Sequence, residues 1–260
     1  MIRMKQVWFA LCLLAATTLQ QPSSAADVTV LSSGGLYDAA IKLAPGFEIE
    51  TGHKLKIEMA SSMGGGATSI PLRLERGEKA DVLLMVAYAM DQLIAKGAVA
   101  KDSKLELADS LIGMAVREGA PVPDISTLDA FKKTLLAAKS IAYSGSASGV
   151  YIEAEMYKLL GLEDALKPKS QKIISIRVGD IVAKGDAEIG FQQVSELLPI
   201  KGLSYVGPIP KEVQKVTRYS AGIPVNSTEV AAARQLIAYI AGPVGRPVVK
   251  ATGLEPLTRD

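Results

Sequence analysis

The chain has 260 residues, 29 Lys and Arg against 27 Asp and Glu, and a single cysteine, Cys12. So even a balance excludes the basic footprint that nucleic acids or anionic membrane surfaces require. One cysteine excludes an internal disulfide framework.

The first residues are set apart from the rest. Arg3 and Lys5 make a short basic start, Val7 to Leu19 is an apolar run, and "QPSSAAD" places small residues for cleavage near Ala25 or Ala26. This predicts a secretory signal peptide over residues 1–26 and a periplasmic protein. The apolar run is too short to cross a bilayer, and Cys12 inside it argues against a lipoprotein anchor. Cleavage removes Arg3, Lys5 and Cys12, which leaves 27 basic against 27 acidic residues and no thiol. The remaining length suits one large domain or two smaller lobes.

Strands and helices then alternate. "VTVL" is short, apolar and β-branched, and predicts a buried strand. "LYDAAIKLAPGFEIETG" has helical spacing, with an interruption expected at Pro45 and a stop at Gly52. "KLKIEMA" alternates as a strand, "IPLRLERG" is a short helix closed by Gly77, "ADVLLMV" is a third strand, and "AMDQLIAKG" is a helix. "LIGMAVRE" is the next strand. "STLDAFKKTLLAA" is a helix capped by Ser126 or Thr127. "SIAYS", "KIISI", "AEIGFQQ" and "RYSAGIPV" read as strands, and "VYIEAEMYKLLG", "GDIVAKG" and "EVAAARQLIAYIAG" as helices. This order predicts an α/β fold with largely parallel sheets. In such folds ligands bind at the carboxyl ends of strands.

Three strand-to-helix turns are rich in serine and glycine: Ser32–Gly35, Ser61–Ser69 and Ser144–Gly149. Each offers hydroxyls and unpaired amides at the positive end of a helix. Glycine lets backbone approach a ligand. One such turn alone is an ordinary cap. Three at matching positions predict an anion cleft. None carries the Gly-Lys-Ser/Thr of a phosphate loop or a dinucleotide fingerprint.

"VTVLSSGGLYDAA", "RGEKADVLLM", "SGVYIEAEMYKLLG" and "AEIGFQQ" together resemble the periplasmic molybdate-binding proteins of ABC transporters over nearly all of the chain after residue 26. The resemblance implies a two-lobed, type 2 binding-protein fold, each lobe a mostly parallel sheet flanked by helices, with lobe 1 from residues 27–109 plus 219–260 and lobe 2 from 110–218. The departures point to a larger ligand than molybdate. Gly35 stands where an oxyanion-binding serine is expected, the second turn is lengthened by "MGGGATS", and Gln192 or its neighbour within "GFQQ" replaces a late tyrosine. "LSSGG", "IPLRL", "REGAPVPDIS", "YSGSASGVY" and "GFQQVSEL" are similar to the aconitate isomerase branch of the same superfamily. That likeness implies a periplasmic enzyme interconverting trans- and cis-aconitate; such a proton shift requires no cofactor, and a monomer is expected. The alternative is a non-catalytic receptor that hands an oxyanion or carboxylate to an ABC permease.

The reaction moves a double bond by an allylic proton shift on a tricarboxylate. Ser33, Ser62, Ser146 and Ser148, with the backbone N–H groups of Gly35 and Gly149, are the expected carboxylate binders, and Gln192 suits a carbonyl or carboxylate. Arg73, close behind the second turn, is the expected cation, with Arg117 as second choice. His53 falls between the first helix and second strand, at the wrong end of the sheet, and is expected at the surface. Tyr143 and Tyr151 border the third turn and are the candidates for proton transfer. Glu153 is expected only to favour the helix dipole. With one histidine and no thiol after residue 26, no metal site is expected.

Overall fold

A computed structural model describes residues 25–63, 66–174 and 176–258. The predicted signal peptide before Ala25, with Cys12, lies outside the described residues, as do Gly64 and Gly65 of the second serine–glycine turn. The chain enters β1 (Asp27–Ser32), turns at Ser33 and runs into α1 (Gly34–Thr51). β2 (Lys54–Met59), α2 (Ile70–Glu75), β3 (Val82–Val86) and α3 (Ala87–Ala95) follow. β4 (Leu105–Ser110) and β5 (Ile112–Arg117) are separated by Leu111 alone. Then come α4 (Leu128–Ala137), capped by the Thr127 hydroxyl, which accepts from the Ala130 N–H, and β6 (Ile141–Ser144).

α5 (Ala147–Tyr151) and α6 (Tyr157–Leu160) are one helical run with a π turn between them at Ile152–Met156. After α7 (Glu163–Leu166), β7 (Ser170–Ile173), α8 (Val178–Lys184) and β8 (Ile189–Gln193), the short α9 (Val194–Leu197) follows directly. β9 (Leu203–Pro208), β10 (Thr217–Gly222), α10 (Val230–Ala241), α11 (Gly245–Ala251) and β11 (Glu255–Pro256) complete the fold.

The strands form two sheets, ordered β11-β4-β10-β3-β1-β2 and β7-β6-β8-β5-β9. The expectation of largely parallel sheets is corrected to mixed ones. β1 is parallel to β2 and β3, and β6 to β7 and β8, but β10 runs antiparallel to β3 and β4, and β5 antiparallel to β8 and β9. The cause is connectivity. The chain leaves the first sheet at Ser110, builds the second, and returns to insert β10 between β3 and β4.

Each sheet has its own core. Leu31, Leu36, Phe47, Leu83, Met90 and Leu236 are buried around the first. Ile112, Met114, Phe131, Tyr157 and Phe191 are buried around the second, with the Phe131 and Phe191 rings edge to face at 6.0 Å.

Pro45 does not interrupt α1. The apolar face Leu36, Ala39, Ala40, Leu43, Phe47 continues through it and is buried. That packing outweighs the roughly 3 kcal/mol of an internal proline. The predicted stop is correct: Gly52 ends α1 at φ 77°, a left-handed cap open to glycine.

Candidate functional site

The carboxyl ends of β2, β6, β7 and β8 and the first residue of α1 open on one cavity of about 370 Å³ between the sheets. From the first sheet it is walled by Gly34, Met59, Ala60 and Ser61. From the second it is walled by Ser144, Ser146, Lys172, Arg177, Gln192 and Glu196, with Val150, Ile173 and Ile176 as apolar wall. Segments of all three serine–glycine turns reach this cavity, so the turns do converge.

Individual residues within them are placed differently from expectation. Ser146 and Gln192 line the cavity. Ser33 lies beside the lining residue Gly34, and its buried hydroxyl has no partner. Ser62 is turned inward, where its Oγ accepts from the Val86 N–H at 3.0 Å. Ser148 is likewise internal, its Oγ 3.0 Å from that of Ser144. Gly35 and Gly149 serve close packing. A Cβ on Gly35 would stand 2.3 Å from the Tyr219 ring, and one on Gly149 1.6 Å from the Ser144 carbonyl oxygen.

The expected cation is corrected. Arg73 is outside the cavity lining and is held by two carboxylates, with Nε donating to Glu78 at 2.6 Å and Nη2 to Glu58 at 2.5 Å. Arg117 ends β5 beside Gly185. Because β5 runs antiparallel to β8, its carboxyl end points away from the cavity. Arg177 and Lys172 take their place. Arg177, just before α8, donates from Nη2 to the Asp38 carboxylate of α1 at 2.7 Å, and its buried Nε has no partner. Lys172 pairs with Glu153, which is therefore more than a dipole partner.

The tyrosines are also corrected. Tyr151 donates its O–H to the Val213 carbonyl at 2.8 Å, and Tyr143 packs edge-on to Tyr157. Neither lines the cavity. Burial pushes both phenols above the ordinary tyrosine value, helped by Glu153 for Tyr143 and Glu155 for Tyr151. Such phenols are poor bases. His53 is buried rather than on the surface. Its Nδ1 accepts from the Ala26 N–H at 3.0 Å, and Nε2 lies 3.0 Å from the Gln235 Oε1. It ties the start of β1 to α10, far from the cavity.

Glu196 is the residue that sequence reasoning missed. It sits on α9, is 9% exposed, and lines the cavity. Burial pushes its carboxyl up to about 7, against the pull of Arg177 and of hydrogen bonds from the Gln192 side chain and the Gln193 backbone; Asp38 adds to the rise. Its Oε1 rests on Gly34, so closely that a Cβ there would stand 1.9 Å away. The only sequence signal was a glutamate in the buried string "VSEL" directly after a buried strand. Lys172 and Arg177 were not singled out because Lys172 opens and Arg177 follows the predicted strand "KIISI", whose apolar residues give no hint that its ends face a cavity. Among the described residues, no group of three or more His, Cys, Asp or Glu is placed to hold a metal ion.

Two α/β units meeting at a cleft of strand carboxyl ends define a binding protein for small solutes. The chain belongs to the bacterial extracellular solute-binding proteins, whose family model matches residues 28–255. It is 46% identical over 245 residues, 94% of both chains, to an aconitate isomerase from a Pseudomonas species. It is 27% identical over 251 residues to the molybdate-binding protein ModA of Azotobacter vinelandii, covering 92% of this chain and 94% of that one. The solved structure of the periplasmic molybdate-binding protein from Azotobacter vinelandii superposes with a TM-score of 0.70 at 20% identity, over 89% of this chain and all of the other.

Proposed function

We propose that the protein is an isomerase that interconverts trans- and cis-aconitate in the periplasm. The observation that carries this reading is the 46% identity, across 94% of both chains, to an aconitate isomerase. The cavity suits it: about 370 Å³ is at the lower end of the ~300–1,000 Å³ typical of small-molecule sites, and a compact tricarboxylate fits that scale.

The substrate's three carboxylates need positive partners. Arg177 has a free Nε for one. Lys172 reaches the same wall. The start of α1 supplies a third. Its first amides have no partner within the helix, its first turn holds no acidic residue, and the helix is long enough for a full dipole. The Ser33 hydroxyl and Ser146 complete this reading of the pocket. As negative charge spreads from the reacting carbon into the carboxylates, these fixed donors stabilise it. The two lobes are taken as residues 27–109 plus 219–260 and residues 110–218, with closure over the substrate as a hinge motion.

A proton NMR time course tests the function. Purified protein incubated with trans-aconitate in deuterated buffer is expected to produce cis-aconitate without added metal or cofactor. If neither isomer changes, while calorimetry gives stoichiometric binding, the protein is instead a receptor, and an ABC permease becomes its partner.

A further inference from the structure

We propose that the Glu196 side chain carries the proton between the two allylic carbons, and that Gln192 and Gly34 hold its carboxyl in place to do so. This rests on the isomerase reading above.

The reaction is balanced without any other reagent. A C–H bond of the substrate's methylene carbon breaks, and the proton passes to a base. The electron pair spreads through the adjoining double bond into the carboxylates. The same proton, or one from solvent, is then delivered to the far alkene carbon, and the double bond has moved by one position. Nothing is oxidised or reduced. One side chain that can both accept and return a proton is sufficient.

Among the described residues, the titratable side chains lining the cavity are Lys172, Arg177 and Glu196. Arginine does not release its proton in a protein. Lys172 is committed to an ion pair with Glu153. Glu196 remains. The groups that face it come from every element around it: Arg177 before α8, Gln192 and the Gln193 backbone from β8, Asp38 and Gly34 from α1, and Tyr219 from β10.

The position is built rather than incidental. Gln192 accepts from the Val178 N–H through Oε1 at 2.9 Å. That fixes which end of its amide is which, and leaves the NH2 end for the Glu196 carboxyl. Gly34 lets that carboxyl rest against the backbone, where a side chain would expel it. The carboxyl is also pushed up to about 7, so both of its forms are populated near neutrality. That is the condition for a group that alternates between base and acid.

The test compares wild type, Glu196→Gln, Glu196→Asp and Gln192→Leu. Turnover is followed by NMR, binding of trans-aconitate by calorimetry, and folding by circular dichroism. Glu196→Gln is expected to fold and bind within about threefold of wild type, while kcat falls by about 10²–10⁴, the usual contribution of general acid–base catalysis. Wild-type kcat is expected to climb as pH rises through about 7. Gln192→Leu removes a bond that favours the ionised form, so that limb moves to higher pH; a merely structural role would leave it in place. If Glu196→Gln does not fold, Glu196→Asp decides: a kcat loss of about tenfold or more upholds the assignment, and wild-type kcat overturns it. An active Glu196→Gln overturns this assignment alone. A wild type that leaves both isomers unchanged overturns the isomerase reading and this assignment together.

Discussion

At the scale of single residues, one buried carboxyl links the cleft to the stability of the fold. In the folded chain Glu196 titrates at about 7, above its ordinary value of 4.5. The folded state therefore holds this proton more tightly than the unfolded one. Its contribution is complete below the unfolded value and is lost as pH rises through about 7. The shift corresponds to about 3 kcal/mol. Glu196→Gln is expected to be more stable than wild type at pH 8.5, by up to that amount, and to converge with it near pH 4. Urea unfolding at the two pH values measures this; a variant less stable at pH 8.5 contradicts it. The sequence did not disclose Glu196, because its burial is created by α1, which follows β1, packing over α9, which comes some 150 residues later. The serines tell a related story. Their spacing announced where hydroxyls gather. Whether each faces ligand, like Ser146, or fastens backbone, like Ser62, depends on tertiary neighbours that no local pattern encodes.

Among the elements, the turns are shaped by glycines whose tolerance differs sharply. A Cβ on Gly34 meets only the end of the Glu196 side chain, which can swing aside. A Cβ on Gly149 meets the Ser144 backbone carbonyl, which cannot. Gly34→Ala is therefore expected to keep its melting temperature and lose kcat. Gly149→Ala is expected to lose about 1–3 kcal/mol or more of stability through overpacking. Thermal denaturation beside steady-state kinetics separates the two, and equal stability losses would refute the distinction. The apolar strands were readable because strands buried on both faces are uninterrupted runs, as in "VLLMV" of β3. β4 and β9 were not. β9 is an edge strand with no fully buried residue, and β4 is only half buried beside the two-residue β11. Their sequences, "LELADS" and "LSYVGP", carry too much polar character to stand out from loops.

For the molecule as a whole, the two sheets are assembled unequally. All strands of the second sheet come from one uninterrupted stretch, β5 through β9. The first sheet is split. β4 has as its neighbours only β10 and β11, and β10 also separates it from β3. Nothing made before residue 217 can hold β4 in place. The order of folding follows, since contacts between segments distant in sequence form late. The middle of the chain is expected to gain structure first, and the opening portion to wait for the closing one. In pulse-labelled hydrogen exchange during refolding, amides of β5, β6 and β8 should become protected before those of β3, β4 and β10; simultaneous protection would refute this. A nascent chain of this kind leaves its first sheet open until the segment from residue 217 onward has been made, even after its middle has closed into a finished sheet.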